Sequence, residues 1–309
     1  MKEKYEVAII GGGPAGVSAG IYAGRLRMKT ILVTKNFSGQ VGIKAVDIEN
    51  YPGFESISGP DLAKRFENQI KKQGIDIENG EVSKISKLGD DFSLTLKSGK
   101  EIETMSVIMT TGADPRPLKI PGEKEFVGRG VTYCALCDGP VFADKSVAII
   151  GGGNNGFETV IFLSKIVKDM HLLEFGDTVN ADATNQELVA RLDNIKIITG
   201  AMIKEIHGDK FVNSITYQDR KTGEEKKLAV SGVFVEIGYI PATYYAKGLV
   251  EFNDKGEVMV DRKTYQTNVA GIFSAGDLNE GSFKQIVIAA GEGASALLSA
   301  HEYLKTKRR

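Results

Sequence analysis

The two cysteines of this chain stand as Cys134-Ala-Leu-Cys137, with Asp138 directly behind them. Two intervening residues let the sulfurs close a short disulfide at a helix start, where one thiol with a depressed pKa attacks and the other resolves. Such spacing suits dithiol–disulfide exchange. A zinc site needs about four ligands, and beyond the cysteines only His171, His207 and His301 remain, scattered along the chain. No metal is expected. A purely structural staple is also disfavoured, because so short a loop restrains little of the unfolded chain. Asp138 reads either as a helix cap or as a proton donor. Adjacency to the thiols favours the donor, since a carboxyl desolvated beside a thiolate has its pKa raised and can hold a proton.

The elements that must position this chemistry are organised by an internal repeat. VAIIGGGPAG from Val7 recurs as VAIIGGGNNG from Val147, a displacement of 140 residues at every shared position. Each copy is a β-branched strand, then glycines at the first, third and sixth places (Gly11, Gly13, Gly16; Gly151, Gly153, Gly156), then a helical stretch and a second apolar strand. In a dinucleotide-binding turn the first glycine permits the tight turn. The second admits the pyrophosphate to bare backbone, and the third lets helix and strand pack closely. The helix N-terminus then offers free N–H groups to the phosphates. An amphipathic helix is expected near residues 62–72, β-rich stretches at 92–109 and 196–235, and a last helix over 284–303.

The expected fold is therefore α/β, with two Rossmann-like (three-layer β/β/α) nucleotide-binding domains, the second inserted into the first. Residues 1–116 and 247–309 would form one domain and residues 117–246 the other. A chain of 309 residues is long enough for two such cores. Lys plus Arg (39) nearly cancels Asp plus Glu (40), so bulk charge draws the protein neither to nucleic acid nor to an anionic membrane. The apolar run Val7–Ile10 is too short for a membrane span or signal core, which gives a cytoplasmic expectation. The basic end at 305–309 reads as a solvated terminus.

The motifs GGGPAG at Gly11, SGQ at Ser38, IENYPGF at Ile48, TTGA at Thr110, VTYCALCDGP at Val131, GGGNNGFE at Gly151, SAGD at Ser274 and KQIVIAAGEGA at Lys284 together resemble the low-molecular-weight, bacterial-type thioredoxin reductase family. Within it, they are most similar to the C-terminal flavoprotein part of the alkyl hydroperoxide reductase flavoprotein component. The resemblance spans nearly the whole chain. It implies an FAD site formed by Gly11, Gly13, Pro14, Ala15, Gly16, Thr34, Ser38, Gly39, Gln40, Asn50, Val82, Thr111, Gly112, Gly276, Asp277, Lys284, Gln285 and Ile286. It likewise implies an NAD(P)H site formed by Gly151, Gly153, Asn154, Asn155, Gly156, Glu158, Glu174 and Gly238. Read from the residues alone, Gln40 and Asn50 serve equally well as loop-closing groups.

In such enzymes hydride passes from the pyridine nucleotide to the flavin, and the reduced flavin opens the disulfide. By position, Cys137 would face the flavin, Cys134 would attack the partner's disulfide, and Asp138 would supply the proton. The inserted domain would rotate to present nicotinamide and dithiol in turn.

Three departures from the family pattern refine this expectation. Glu174 ends the second strand of the inserted unit, where a carboxylate grips the adenosine ribose and repels a 2′-phosphate. NADPH-using relatives begin a His-Arg-Arg cluster there, whereas this chain reads Glu174, Phe175, Gly176 and later Asn180; NADH is expected over NADPH. Thr34, the 140-residue counterpart of Glu174, stands where many flavoproteins carry an acidic residue. The motif strand is expected to begin at Tyr5 with no redox module ahead of it, so electrons would leave to a separate thioredoxin or glutaredoxin-like protein. The family resemblance implies a homodimer. The alternatives are a reductase fed by ferredoxin or another donor, and a non-catalytic flavin-binding sensor.

Overall fold

The computed structural model describes residues 4–37, 39–44, 48–281 and 283–307. The chain divides into two units: Met1–Ala45, Tyr51–Asp114 and Ile240–Arg309 make the first, Val46–Asn50 and Pro115–Tyr239 the second.

In the first unit, apolar runs that end in glycine or a hydroxyl residue become the middle of a five-stranded parallel sheet. Its order is Ile272–Ser274, Val107–Met109, Val7–Ile10, Thr30–Thr34, Asp76–Asn79. Alternation along each strand sends side chains to opposite faces. Ala8, Ile10, Ile31, Val33, Val107 and Met109 share one core with Phe92, Leu94, Leu96 and Ile102 of a second, four-stranded sheet. Burial of each large apolar side chain in such a layer contributes about 1.5–3 kcal/mol. Helices Pro14–Arg25 and Ile286–Lys307 pack closely enough that a Cβ on Gly293 would lie 2.0 Å from the Ala15 carbonyl oxygen.

The second unit repeats the plan. Its parallel sheet runs Val131–Thr132, Gly232–Val235, Ser146–Ile150, Asp169–Leu173, Ile195–Ile198. Ala148, Ile150, Leu173, Val233 and Val235 face the antiparallel sheet through Ile203, Ile206, Val212 and Ile215. From the other face, Val147, Ile149, Met170, Leu172 and Phe234 meet Phe157, Val160 and Leu163 of helix Asn154–Leu163. The three layers are thus sheet, sheet and helix, as the repeat requires.

Several boundaries differ from expectation. Residues 240–246 belong to the first unit, because Tyr245 and Ala246 are buried in its core and the Ala242 N–H donates to the Gly112 carbonyl at 3.0 Å. The inserted unit opens at Pro115 instead of 117. Asn50 groups with the second unit. The motif strand starts at Val7, since Lys4–Tyr5 pairs in the other sheet with Glu101–Thr104. The helix expected at 62–72 is Gly59–Ile70, begun early by the Ser58 side chain, which accepts the Asp61 N–H, and by a proline in its first turn. The last helix is Ile286–Lys307. Among the described residues no helix is long and apolar enough to cross a membrane.

Candidate active site: two glycine cradles and a dithiol

Both glycine motifs sit between the central strand of a parallel sheet and the helix after it. Gly11 and Gly151 have φ of +116° and +120°, the left-handed side that glycine alone occupies without strain. A Cβ on Gly16 or Gly156 would lie 1.9 Å from the carbonyl oxygen of Gly11 or Gly151. The fold itself therefore demands these four glycines. The middle pair is different. Gly13 and Gly153 cap their helices in extended geometry, with φ of −77° and −87°, and a Cβ on either would meet nothing within 4 Å. Among the described residues no protein atom requires glycine there, which leaves the backbone open to the close approach of a ligand.

Around the first cradle, Pro14 opens the helix and Ala15 is buried; Val82, also buried, begins the edge strand Val82–Leu88 of the four-stranded sheet and shares a core with Ile10. Thr111 donates to the Ala242 carbonyl at 2.9 Å and lies 2.8 Å from the Tyr245 hydroxyl, and Gly112 follows with a φ of +68°. Gly276, with a φ of +81°, gives its N–H to Glu292 at 2.7 Å. Asp277 comes next. Desolvation lifts its carboxyl to about 6 against the attraction of Lys284, and that carboxylate accepts no hydrogen bond among the described residues. A half-buried carboxylate that accepts no hydrogen bond among the described residues, on a turn whose Gly276 packs against Ala15 of the first cradle, fits the hydroxyls of a bound nucleotide cofactor. Gln285 and Ile286 lead into the last helix, while Gly39 and Gln40 open the short helix Gly39–Lys44.

Two residues expected to touch FAD are otherwise engaged. The Lys284 ammonium donates to Glu257 at 2.8 Å and to the carbonyls of Asp277 and Asn279 at 3.0 and 2.7 Å, which uses its three hydrogens to brace the Asp277 loop. The Thr34 hydroxyl donates to the Asn36 carbonyl at 2.6 Å, and the side chain is buried; no acid stands in its place. Ser38 lies outside the described residues. Asn50 is exposed and belongs to the second unit.

Around the second cradle, Glu174 is fixed at the end of Asp169–Leu173. One carboxylate oxygen accepts the Gly152 N–H at 2.5 Å and the other accepts the Gly176 N–H at 2.6 Å. Each oxygen retains a lone pair, so the group is oriented without being used up. Asn154 accepts the Asp182 N–H at 2.7 Å and ties the next loop to the helix start. Asn155 and Glu158 are exposed, and Gly238 has a φ of +91° with open space beside it. Glu236 gave no signal in the sequence. It follows strand Gly232–Val235 with its backbone against Gly151, accepts from Thr159 at 3.1 Å, and is lifted by desolvation to about 8. The register pairs Ile150 with Val235 and Ile10 with Met109, so Glu236 is the structural counterpart of Thr110. That match is hidden because the two residues are not 140 apart.

The dithiol belongs to the second unit. Cys134 and Cys137 form a disulfide, with Cys134 as N-cap of the turn Ala135–Asp138. The Cys137 N–H points to the Cys134 sulfur at 3.2 Å, a donor that favours the thiolate at Cys134. Cys137 is exposed and Cys134 half-buried. Thr132, which sequence reasoning missed, links backbone to acid: its hydroxyl oxygen accepts the Cys134 N–H at 3.2 Å, and its proton goes to Asp138. Burial raises the Asp138 carboxyl and the Thr132 bond only partly offsets this. Tyr133 is anchored beside the dithiol by its hydroxyl bond to buried Glu123 at 2.9 Å.

Comparison with known proteins agrees with this geometry. Residues 5–293 match the family model described as pyridine nucleotide-disulphide oxidoreductase. A Bacillus subtilis protein named NADH dehydrogenase is 44% identical over 98% of this chain, and the alkyl hydroperoxide reductase F subunit of Pseudomonas putida is 42% identical over 98%. The chain spans 59% of the length of each. Among solved structures, thioredoxin reductase from Streptococcus pyogenes superposes with a TM-score of 0.92 at 33% identity, covering 99% of this chain and 100% of that one. Thioredoxin reductase from Giardia duodenalis does so with 0.92 at 32%, covering 98% and 100%. With two Rossmann-like units, two glycine cradles and a formed disulfide at a helix start, the chain belongs to the pyridine nucleotide-disulphide oxidoreductase family and is thioredoxin reductase-like.

Proposed function

We propose that the chain carries electrons from NADH, in preference to NADPH, through FAD to Cys134–Cys137 and on to the disulfide of a thioredoxin or glutaredoxin-like protein. The observation that carries this reading is the Cys134–Cys137 disulfide with its thiolate-stabilising N–H and the neighbouring Thr132–Asp138 pair. Bound FAD would supply the conversion of a two-electron hydride donor into a reductant for the disulfide. The first cradle, with Gly13, Thr111, Gly112 and Asp277, would hold it. Gly153, Asn154 and Glu174 would hold the nicotinamide nucleotide. The open approach at Gly153 supports a working second nucleotide site over a donor such as ferredoxin.

The rest is done by the chain's own side chains. Once reduced, Cys134 as thiolate attacks one sulfur of the partner's disulfide, forming a mixed disulfide and releasing the other sulfur as a thiolate. Asp138, whose carboxyl burial shifts toward the protonated form, gives its proton to a departing thiolate. Cys137 then attacks Cys134, frees the partner as a dithiol, and restores the intramolecular disulfide. The first cradle and the dithiol fall in different units, so turnover needs the units to present them to one another. A homodimer is part of the same proposal.

NADH preference rests on Glu174, whose pinned carboxylate would accept from a ribose 2′-hydroxyl and repel a phosphate there. The test is anaerobic mixing of the yellow protein with NADH and with NADPH, followed by flavin bleaching. Faster bleaching by NADH is expected. Equal or faster bleaching by NADPH overturns the preference, and bleaching by neither overturns the donor class.

A further inference from the structure

Resting on that reading of the second cradle, we propose that Phe175 and Arg220 form the platform on which the adenine ring of the nicotinamide nucleotide stacks. Phe175 directly follows Glu174 and is 56% exposed, so more than half of its surface is open to a ligand. The Arg220 guanidinium lies over its ring at 4.2 Å from the centroid and donates from Nη1 to the Phe175 carbonyl at 2.8 Å. Two backbone bonds hold the arginine in place: Arg220 N–H to the Gly200 carbonyl and Gly200 N–H to the Gly176 carbonyl, both at 2.8 Å. Arg220 makes no ion pair among the described residues. It follows strand Val212–Asp219 on the turn into the next strand, which is why it is remote from Phe175 in sequence.

The chemistry follows from adjacency. Adenine is bonded directly to the ribose that Glu174 would hold, so the base must lie within one residue's reach of that carboxylate. An exposed aromatic ring with a guanidinium over it, one residue away, gives it a surface on which to stack. The guanidinium lies over the Phe175 ring and one of its donors is given to the Phe175 carbonyl, which favours stacking over a role as a free cation for a 2′-phosphate.

The test uses Arg220→Ala, Arg220→Lys and Phe175→Ala, with Lys221→Ala on the same turn as control. The readout is the ratio of kcat/KM for NADH to that for dihydronicotinamide mononucleotide, which lacks the adenosine half. Loss of a base stack corresponds to roughly a tenfold fall in that ratio, expressed in KM. That fall is expected in all three variants, the lysine included because it has no plane, and not in the control. A lysine variant with the parent ratio, or a loss confined to NADPH, would mean a charge clamp and overturn the proposal. So would an unchanged ratio in the alanine variants, or an equal loss with both donors. If the parent protein is reduced by neither NADH nor NADPH, the functional reading itself fails, a result separable from all of these.

Discussion

Gly153→Val separates what the fold requires from what the ligand requires. The residue has a φ of −87° and a ψ of −174°, extended backbone that valine adopts readily, and its Cβ would meet nothing within 4 Å. The remaining folding cost is the exchange of glycine for valine at a helix N-cap, about 1 kcal/mol. In a chain of this size that lowers the thermal midpoint by only about 1.5 °C. Bound pyrophosphate would meet the two added methyl groups. Displacing it by about 1 Å from its productive position costs on the order of a hundredfold. Stopped-flow reduction by NADH should therefore slow about a hundredfold in kcat/KM while the flavin spectrum and stoichiometry stay as in the parent. Gly13→Val, equally unobstructed, should fold and purify colourless. Loss of flavin in the Gly153 variant with retention in the Gly13 variant would show the two cradles to be misassigned. Parent-like NADH kinetics in the Gly153 variant would refute the claim that this backbone meets the nucleotide.

Gly156→Ala should instead act on folding, since its Cβ would lie 1.9 Å from the Gly151 carbonyl oxygen; a loss of about 1–3 kcal/mol should appear as a lower midpoint in a thermal melt. Burial shifts the Asp138 carboxyl upward from its ordinary value, so proton donation is complete below its pKa and lost as pH rises through it. Asp138→Asn should remove that limb from the pH profile of disulfide reduction, and Thr132→Val, which deletes the bond opposing the shift, should move the limb to higher pH. Glu236 is raised to about 8 from 4.5, so the stability held with the neutral acid is full below about 4.5 and declines as pH rises to about 8. Glu236→Gln should abolish that decline, worth a few kcal/mol at 1.36 kcal/mol per pK unit, in denaturant melts at pH 5 and pH 9. Unchanged slopes would contradict the role given to burial.

The strand-turn-helix units were legible because each glycine motif has local causes: β-branched strands, a left-handed turn, and steric closure at Gly16 and Gly156. The dithiol was legible from spacing alone. What the sequence concealed is mostly a matter of distance. Glu236 and Arg220 reach the site through sheet register or a distant hairpin turn, and no short motif records such placement; Thr132 lies inside VTYCALCDGP, but its link to Asp138 is a matter of side-chain geometry that the motif does not show. The expected boundary at 246 overran because Tyr245 is apolar enough for either core, and only its packing beside Val250 and Val258 decides between them. The positions of Lys284 and Thr34 in their motifs suggest cofactor contacts. Their hydrogen-bonding hydrogens are already given to carbonyl and carboxylate oxygens of the protein, which a one-dimensional reading has no means of seeing.

An anaerobic titration with NADH, counting electrons taken up and thiols released for each bound FAD, addresses the link between flavin and dithiol most directly. The parent protein should accept two electrons at the flavin and two more at the disulfide, with two titratable thiols appearing and both assigned to Cys134 and Cys137 by alkylation and mass spectrometry. Cys134→Ser should stop at the first two. Uptake of only two electrons by the parent, with no new thiol, would contradict transfer from flavin to the Cys134–Cys137 pair.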